Sequence, residues 1–258
     1  MMKPFILEQT NWKQVKNGDY EVAILPWGAT EPHNYHLPYG TDSLETTRLT
    51  IQAAEKAWDR GAKLMVLPTI PLGVQNVGQI ELPFCLHTRP STQKLILEDV
   101  LTALHQQGIK KLVLMNGHGG NDFKAMIREL QPQYRELFIC LVEWYAMLDS
   151  SEYFDEEGEH AGEMETSIMM YYFPELVLPL DEAGEGRTRS FSLEGLRNNT
   201  GWAPRRWDKI SEDTGVGNPR GATPEKGERF LEDVTTRIAD FFVELAACRL
   251  EDLYERSD

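Results

Sequence analysis

The chain has 258 residues, with 41 acidic against 26 basic side chains and a formal net charge of −15 at pH 7. This acidity disfavours a nucleic-acid partner, and no apolar run reaches the ~18 residues of a membrane-spanning helix. The first residues lack the long apolar region of a signal peptide, so we expect a cytoplasmic protein without a membrane partner. No linker-like stretch interrupts the sequence, and we therefore predict a single domain over residues 1–258.

Strands and helices are predicted to alternate along most of the chain. Short apolar runs predict strands at 21–26, 63–68, 111–115 and 137–142. Amphipathic patterns predict helices at 12–16, 43–60, 91–107, 122–130, 160–172 and 224–254. The alternation implies an α/β fold, a three-layer α/β/α arrangement with a mostly parallel sheet, in which ligands bind at the carboxyl ends of the strands.

Two long segments lack helical or strand periodicity. Residues 69–90 are rich in Gly, Pro, Gln and Asn, which predicts a long loop with a functional role. Residues 179–219 are predicted to run over the surface or into a neighbouring subunit, and their role is not evident from the sequence.

The stretch that follows the first predicted strand has the composition of a metal site. It runs Gly28-Ala-Thr-Glu-Pro-His-Asn-Tyr-His-Leu-Pro-Tyr-Gly-Thr-Asp42. Glu31 and His33 lie on the same side of an extended segment, because side chains alternate with period two. Asp42 could join them or bridge two ions, or it could instead cap the next helix together with Ser43. Carboxylates and imidazoles suit zinc, manganese or iron, whereas the alternative is that Glu31 caps a turn and His33 is an ordinary loop residue.

Two further polar clusters lie at predicted junctions. Asn116-Gly-His118-Gly-Gly-Asn121 follows the third predicted strand, and His160-Ala-Gly-Glu163-Met-Glu165 opens a predicted helix. The fold rule for parallel sheets places all three clusters at one edge, where we expect a single site.

These three motifs resemble the signatures of the creatininase (creatinine amidohydrolase) family, and the third extends through Thr166 and Ser167. The closing segment Gly215-Val-Gly-Asn-Pro-Arg-Gly-Ala-Thr-Pro-Glu-Lys-Gly227 is similar to the family's as well. The resemblance therefore covers nearly the whole chain. It implies a three-layer α/β fold that carries two divalent metal ions, with zinc as the first expectation and manganese or iron as alternatives.

The resemblance also implies the ligand set. Glu31, His33, Asp42 and His118 match metal ligands of the family, and Asp42 matches the bridging one. A glutamate stands two residues after the metal histidine in creatininase, but that position is Gly120 here. Glu165 is therefore predicted to be the remaining ligand, with Glu163 as the other candidate.

Catalytic and substrate-binding roles follow from the same resemblance. His160 matches the catalytic histidine and is predicted to pass a proton to the leaving nitrogen, with helix capping as its alternative. Glu163 is predicted to be an acid/base or supporting group, and His36 to orient the Glu31/His33 pair. We predict that Gly119 and Trp144 contact the substrate, although Trp144 suits core packing equally well.

The function implied is hydrolysis of a C–N bond in a small molecule, which is a cyclic amide, an amide or a formamide. The alternative is a family member that has lost turnover and only binds a ligand, signalled by Pro32 and Asn34 where the family usually has Gln and Gly. Family members form symmetric oligomers, so we expect a hexamer, with 186–219 as interface material around Trp202 and Trp207.

Overall fold

Four parallel strands form the main sheet of the computed structural model, which describes residues 3–255. They are β1 (Val22–Trp27), β2 (Leu64–Val66), β3 (Lys111–Asn116) and β4 (Phe138–Glu143). Their order is β2-β1-β3-β4, and each neighbouring pair is parallel. Residues 1–2 and 256–258 of the predicted domain lie outside the described part of the chain.

A second, antiparallel sheet pairs β5 (Gly158–His160) with β6 (Val216–Gly217). The α-helices are α1 (Trp12–Val15), α2 (Thr41–Asp59), α3 (Pro90–Gln106), α4 (Phe123–Leu130), α5 (Glu163–Tyr172), α6 (Glu194–Arg197), α7 (Trp207–Ile210) and α8 (Pro224–Ala247). Short 3₁₀ helices span Leu7–Gln9, Gln131–Gln133, Trp144–Ala146, Ser150–Glu152, Pro174–Leu176 and Leu250–Asp252. Within residues 3–255, we find no helix with the length and apolarity that crossing a bilayer demands.

The main sheet is covered on both faces, because the side chains of its strands alternate between two apolar cores. Ile24 of β1 belongs to the core that α2, α5 and α8 cover, and the next residue, Leu25, belongs to the core under α3 and α4. Parallel sheets are generally buried on both sides in this way. The predicted three-layer α/β/α fold is therefore confirmed.

Two local expectations about helix starts are wrong. Gly40 precedes α2 without any side-chain cap, and Asp42 lies inside the first turn. His160 does not open a helix either, because it ends β5 and α5 begins only at Glu163. Of the third polar cluster, His160 therefore comes from the smaller sheet, and Glu163 and Glu165 come from the start of α5.

Glycines let α2 approach the carboxyl ends of β1 and β3 closely. A Cβ atom added at Gly28 would lie 2.6 Å from the backbone nitrogen of Ser43. One added at Gly117 would lie 3.0 Å from the backbone oxygen of Asp42. The first turn of α2, which carries Asp42, is thus pressed against both strand ends.

We expect Gly28→Ala to push the start of α2 away from β1, because the new methyl group would meet backbone that cannot move independently. The free energy of unfolding should fall by about 1–3 kcal/mol, as for other overpacked sites. Gly40→Ala is the matched control, since its Cβ would find only the Leu44 side chain, at 3.7 Å. Urea unfolding of both variants measures the difference, and equal midpoints would contradict the close-approach argument.

Candidate metal centre

Buried carboxylates and imidazoles from separate parts of the chain meet beside the carboxyl ends of β1 and β3. Glu31 and His33 follow β1, Asp42 lies in α2, and His118 follows β3. His160 comes from β5 and Glu165 from α5. Their potential ligand atoms form three overlapping groups, each within 4.8 Å: Glu31/His33/His160, Glu31/Asp42/His118 and His33/Asp42/Glu165. The structure thus brings the five predicted ligands and His160 together.

Asp42 occupies the middle of this cluster. Its Oδ1 atom lies 2.8 Å from Nε2 of His33, and its Oδ2 atom lies 3.0 Å from Nδ1 of His118. The same His118 nitrogen is 3.0 Å from Oε1 of Glu31, and Nδ1 of His160 is 3.7 Å from that oxygen. The two oxygens of Asp42 therefore face two different imidazoles.

In each imidazole of the cluster, the ring nitrogen that points away from the carboxylates (the outer nitrogen) is hydrogen-bonded to a backbone carbonyl oxygen. Nδ1 of His33 lies 3.0 Å from the Glu31 oxygen, Nε2 of His118 lies 2.9 Å from the Val74 oxygen, and Nε2 of His160 lies 2.8 Å from the Pro32 oxygen. A carbonyl only accepts hydrogen bonds, so each of these nitrogens carries the hydrogen. In the neutral ring, the inner nitrogen then points a lone pair at the carboxylates, which is how metal-binding histidines are usually held.

Within residues 3–255, two buried carboxylate oxygens in the cluster accept no hydrogen bond as long as the imidazoles are neutral. They are Oε1 of Glu31 and Oδ2 of Asp42, although His118 is 3.0 Å from both. Buried anions that face lone pairs repel one another unless a cation lies among them. The donor set therefore fits a divalent ion of the zinc or manganese type.

The pKa values of the cluster residues also indicate that its carboxylates require positive charge nearby. Burial alone would lower the pKa of His33, but the facing Asp42 carboxylate raises it to about 10. Burial likewise would lower the pKa of His118, which Glu31 and Asp42 hold well above its usual value. Burial would raise the pKa of Asp42, and His33 and His118 lower it instead. Without another cation, protons on the imidazoles neutralise the carboxylates, so a metal ion must displace them.

The loop at 69–90 supplies supports that the sequence does not reveal. Gln79 donates a 2.7 Å hydrogen bond from Nε2 to Oε2 of Glu31, and the backbone of Val74 holds His118. The sequence predicts that this loop is functional but does not single out Gln79, because a glutamine in an irregular segment carries no periodic signal.

Glu163 lies apart from the three ligand groups. Its carboxylate accepts hydrogen bonds from the backbone nitrogens of Asp155, at 2.8 Å, and Glu156, at 2.7 Å. It also forms an ion pair with Lys226 of α8. The structure thus assigns this carboxylate to joining α5, α8 and the acidic loop, and Glu165, not Glu163, lies within reach of His33 and Asp42.

The other predicted site residues have different surroundings. His36 is buried, and its Nε2 lies 2.9 Å from Oγ1 of Thr166. Trp144 is only 1% exposed and donates its indole N–H to Oγ1 of Thr46, as its core-packing alternative would have it. Gly119 is exposed, with open space where a side chain would project. Among the three, Gly119 is therefore the exposed residue.

Comparison with known proteins confirms the family resemblance. A family model described as creatinine amidohydrolase matches residues 8–242. The creatinine amidohydrolase of Pseudomonas putida is 27% identical, over 93% of this chain and 96% of that protein. A 2-amino-5-formylamino-6-ribosylaminopyrimidin-4(3H)-one 5′-monophosphate deformylase from Methanothermobacter marburgensis is 28% identical, over 87% of this chain and 90% of that protein.

Solved structures share the fold. A crystal structure from Bacteroides fragilis, provisionally assigned as a creatinine amidohydrolase, matches with a TM-score of 0.93 and 48% identity. The match covers 99% of this chain and 100% of that one. A mutant creatininase of Zn–Zn type matches with a TM-score of 0.77 and 24% identity, covering 95% of this chain and 100% of that one. The second match supports the fold alone.

We expect His36 to make the metal-free protein less stable in mild acid. Burial, together with the charge of His33, lowers the pKa of His36 from 6.5 to about 4. Between these values the unfolded chain binds a proton that the folded chain does not, so stability is lost as pH falls below about 6.5. From pH ~7 to ~5, the wild type should lose about 1–2 kcal/mol more than His36→Gln, which no longer titrates.

Urea unfolding in the presence of a chelator, at both pH values, measures this difference. His105→Gln, at an exposed position of α3, is the control and should follow the wild type. The same pH dependence in His36→Gln and wild type would contradict the assignment of a neutral, buried His36.

Proposed function

Since the chain belongs to the creatinine amidohydrolase (creatininase) family, we propose that it is a metal-dependent amidohydrolase that acts on a C–N bond of a small molecule. The candidate substrates are cyclic amides, amides and formamides, because the relatives include both a creatinine amidohydrolase and a deformylase. One observation carries the proposal: three imidazoles, each fixed by a backbone carbonyl, turn their free nitrogens toward buried carboxylates.

We propose that the cluster holds two divalent ions. Glu31, Asp42 and His118 would hold one, and His33, Asp42 and Glu165 the other, so Asp42 is shared. Zinc is the first expectation, and manganese or iron are the alternatives. When bound, such ions lower the pKa of a water molecule and polarise an amide carbonyl.

We propose that His160 moves a proton in this chemistry. Its Nε2 is bonded to the Pro32 oxygen, which leaves Nδ1 as the nitrogen that faces the cluster, 3.7 Å from Glu31. An imidazole suits proton transfer to a leaving nitrogen near neutral pH. Gly119 presents unobstructed backbone beside His118, where a substrate amide can approach.

The departures at Pro32 and Asn34 do not require lost turnover. Asn34 has a φ of 55°, a left-handed conformation that Gly and Asn tolerate best, so it replaces a glycine without changing the backbone. Its side chain accepts a hydrogen bond from the Gly184 nitrogen and donates one to the Gly184 oxygen. The Pro32 oxygen orients His160. Both residues therefore support the site.

Replacing Asp42 with Asn should empty at least one metal site, because the shared carboxylate would lose its charge while keeping its shape. Turnover should fall by more than the ~10–100-fold that is typical of residues outside the ligand shell. Asp59→Asn, the same change at an exposed position of α2, is the matched control and should keep metal and rate.

The measurements are metal content, after purification without chelator, and release of amine or carboxylate from a panel of amides, cyclic amides and formamides. A wild type with less than one zinc, manganese or iron ion per chain, and no activation on adding them, would contradict the proposed function. Asp42→Asn with two ions and a near-normal rate would contradict only the shared role of Asp42.

We also propose that the chain forms a homo-oligomer, with a hexamer as the specific expectation. Trp202 and Leu193, in the segment predicted as interface material, are 86% and 65% exposed in the single chain. Burying such side chains between subunits is favourable. Light scattering at micromolar concentration tests this, and a monomer there would refute it.

A further inference from the structure

The long segment 179–219 reaches the candidate site through Trp207, the first residue of α7. Its side chain is 5% exposed, unlike that of Trp202 in the same segment. The backbone nitrogen of Trp207 donates a 2.8 Å hydrogen bond to the Val77 oxygen, and the indole Nε1 donates a 2.9 Å bond to the Thr214 oxygen. Trp207 therefore ties its own segment to the 69–90 loop, and it is packed against its own chain.

The indole of Trp207 also contacts the ring of His160. The two ring centroids are 5.5 Å apart and the planes are perpendicular, which is a favourable edge-to-face arrangement. On the cluster side, the His33 ring lies 4.2 Å from that of His160, with the planes inclined by 37°. The His160 ring is thus enclosed between an imidazole that belongs to a ligand group and an indole that does not.

This enclosure matters because His160 has little else to fix its ring. Within residues 3–255, the ring forms one hydrogen bond, the contact of Nε2 with the Pro32 oxygen. One hydrogen bond does not prevent the ring from rotating about its bond to Cβ, since terminal torsions of this type are broad. His160 does not lie in a helix either. It is the last residue of β5, and Ala161 after it has a left-handed φ of 51°.

Trp207 is itself held firmly enough to act as a wall. The guanidinium of Arg205 lies 5.2 Å from the centre of the indole ring. Arg205 also forms a 2.6 Å ion pair with Glu159, the residue before His160. The indole is therefore fixed by its N–H on one side and by a cation over its face, and that cation is tied to the strand that carries His160.

We propose that Trp207 is a positioning residue that holds the His160 ring with Nδ1 toward the carboxylate cluster. The role rests on the proposed function, in which His160 transfers the proton to the leaving nitrogen. Within residues 3–255, Trp207 forms hydrogen bonds to the Val77 and Thr214 oxygens and none to a ligand carboxylate, so its loss should leave metal binding intact and slow the proton step. A merely structural tryptophan in the small cluster with Ile210 and Val216 would affect stability alone.

The test compares Trp207→Phe with Trp207→Leu. Both variants lose the indole N–H and keep an apolar side chain, but only phenylalanine keeps a ring to pack against His160. In the metal-loaded protein, Trp207→Leu should lower kcat by ~10–100-fold with a smaller change in KM, as expected for a partner outside the ligand shell. Trp207→Phe should retain most of kcat, and metal content should be unchanged in both. Trp12→Ala, at an exposed position of α1, is the control.

A second readout does not depend on turnover. In the zinc-loaded protein, two-bond ¹⁵N–¹H correlation spectra report which ring nitrogen of His160 carries the hydrogen. The wild type and Trp207→Phe should show one fixed form with the hydrogen on Nε2. Trp207→Leu should show an averaged ring, that is, signals averaged over the forms with the hydrogen on Nε2 and on Nδ1.

Equal kcat in the two variants together with one fixed His160 form in both would overturn the inference. An averaged His160 ring in the wild type would overturn it without any variant, even if Trp207→Leu does not fold. If the wild type hydrolyses no amide of the panel, the proposed function fails, and the spectra still decide whether Trp207 positions His160.

Discussion

The burial of negative charge beside the strand ends is the constraint on which the rest of the site depends. Glu31 and Asp42 are almost fully buried, and each has an oxygen that accepts no hydrogen bond. An uncompensated buried carboxylate costs several kcal/mol, so the fold is stable only when positive charge faces these oxygens. The raised pKa values of His33 and His118 let protons supply that charge. Folding and proton binding are therefore linked at this one place, and binding of the proposed metal ions would be linked to both.

The two long irregular segments complete the site that the regular elements begin. The 69–90 loop holds Glu31 through Gln79 and His118 through Val74. The 179–219 segment docks on the loop after β1 through Asn34, and on His160 through Trp207. A backbone hydrogen bond from Trp207 to Val77 joins the two segments to each other. The regular elements and the turns after β1 and β3 thus supply most of the ligand groups, while the two long segments supply contacts that hold Glu31, His118 and His160.

The regular elements and the motifs could be predicted from sequence because both are local signals. The apolar run of β1 and the helical stripe of α8 follow from short periodicities. The partners of Glu163 could not be predicted, since Lys226 lies 63 residues away and no pattern links them. The position of Asp42 at the start of α2 could not be predicted for a related reason. An Asp near a helix start predicts a cap, but here the close approach at Gly28 and Gly117 turns Asp42 into the cluster.

Glu45 of α2 is a further carboxylate near the site, and it belongs to none of the three ligand groups. Glu45 is fully buried, and neither of its oxygens has a hydrogen-bond partner among residues 3–255. Burial, with Glu165 and Asp42 nearby, raises its pKa well above the usual value, which favours the protonated, neutral form. The carboxylates of the three ligand groups, which would face the two proposed divalent ions, are those of Glu31, Asp42 and Glu165. If two such ions were bound, these three carboxylates would not cancel their charge, and the resulting positive centre would suit the carbonyl oxygen of an amide as it gains negative charge. An ionised Glu45 would reduce that positive charge, and its burial disfavours the ionised form.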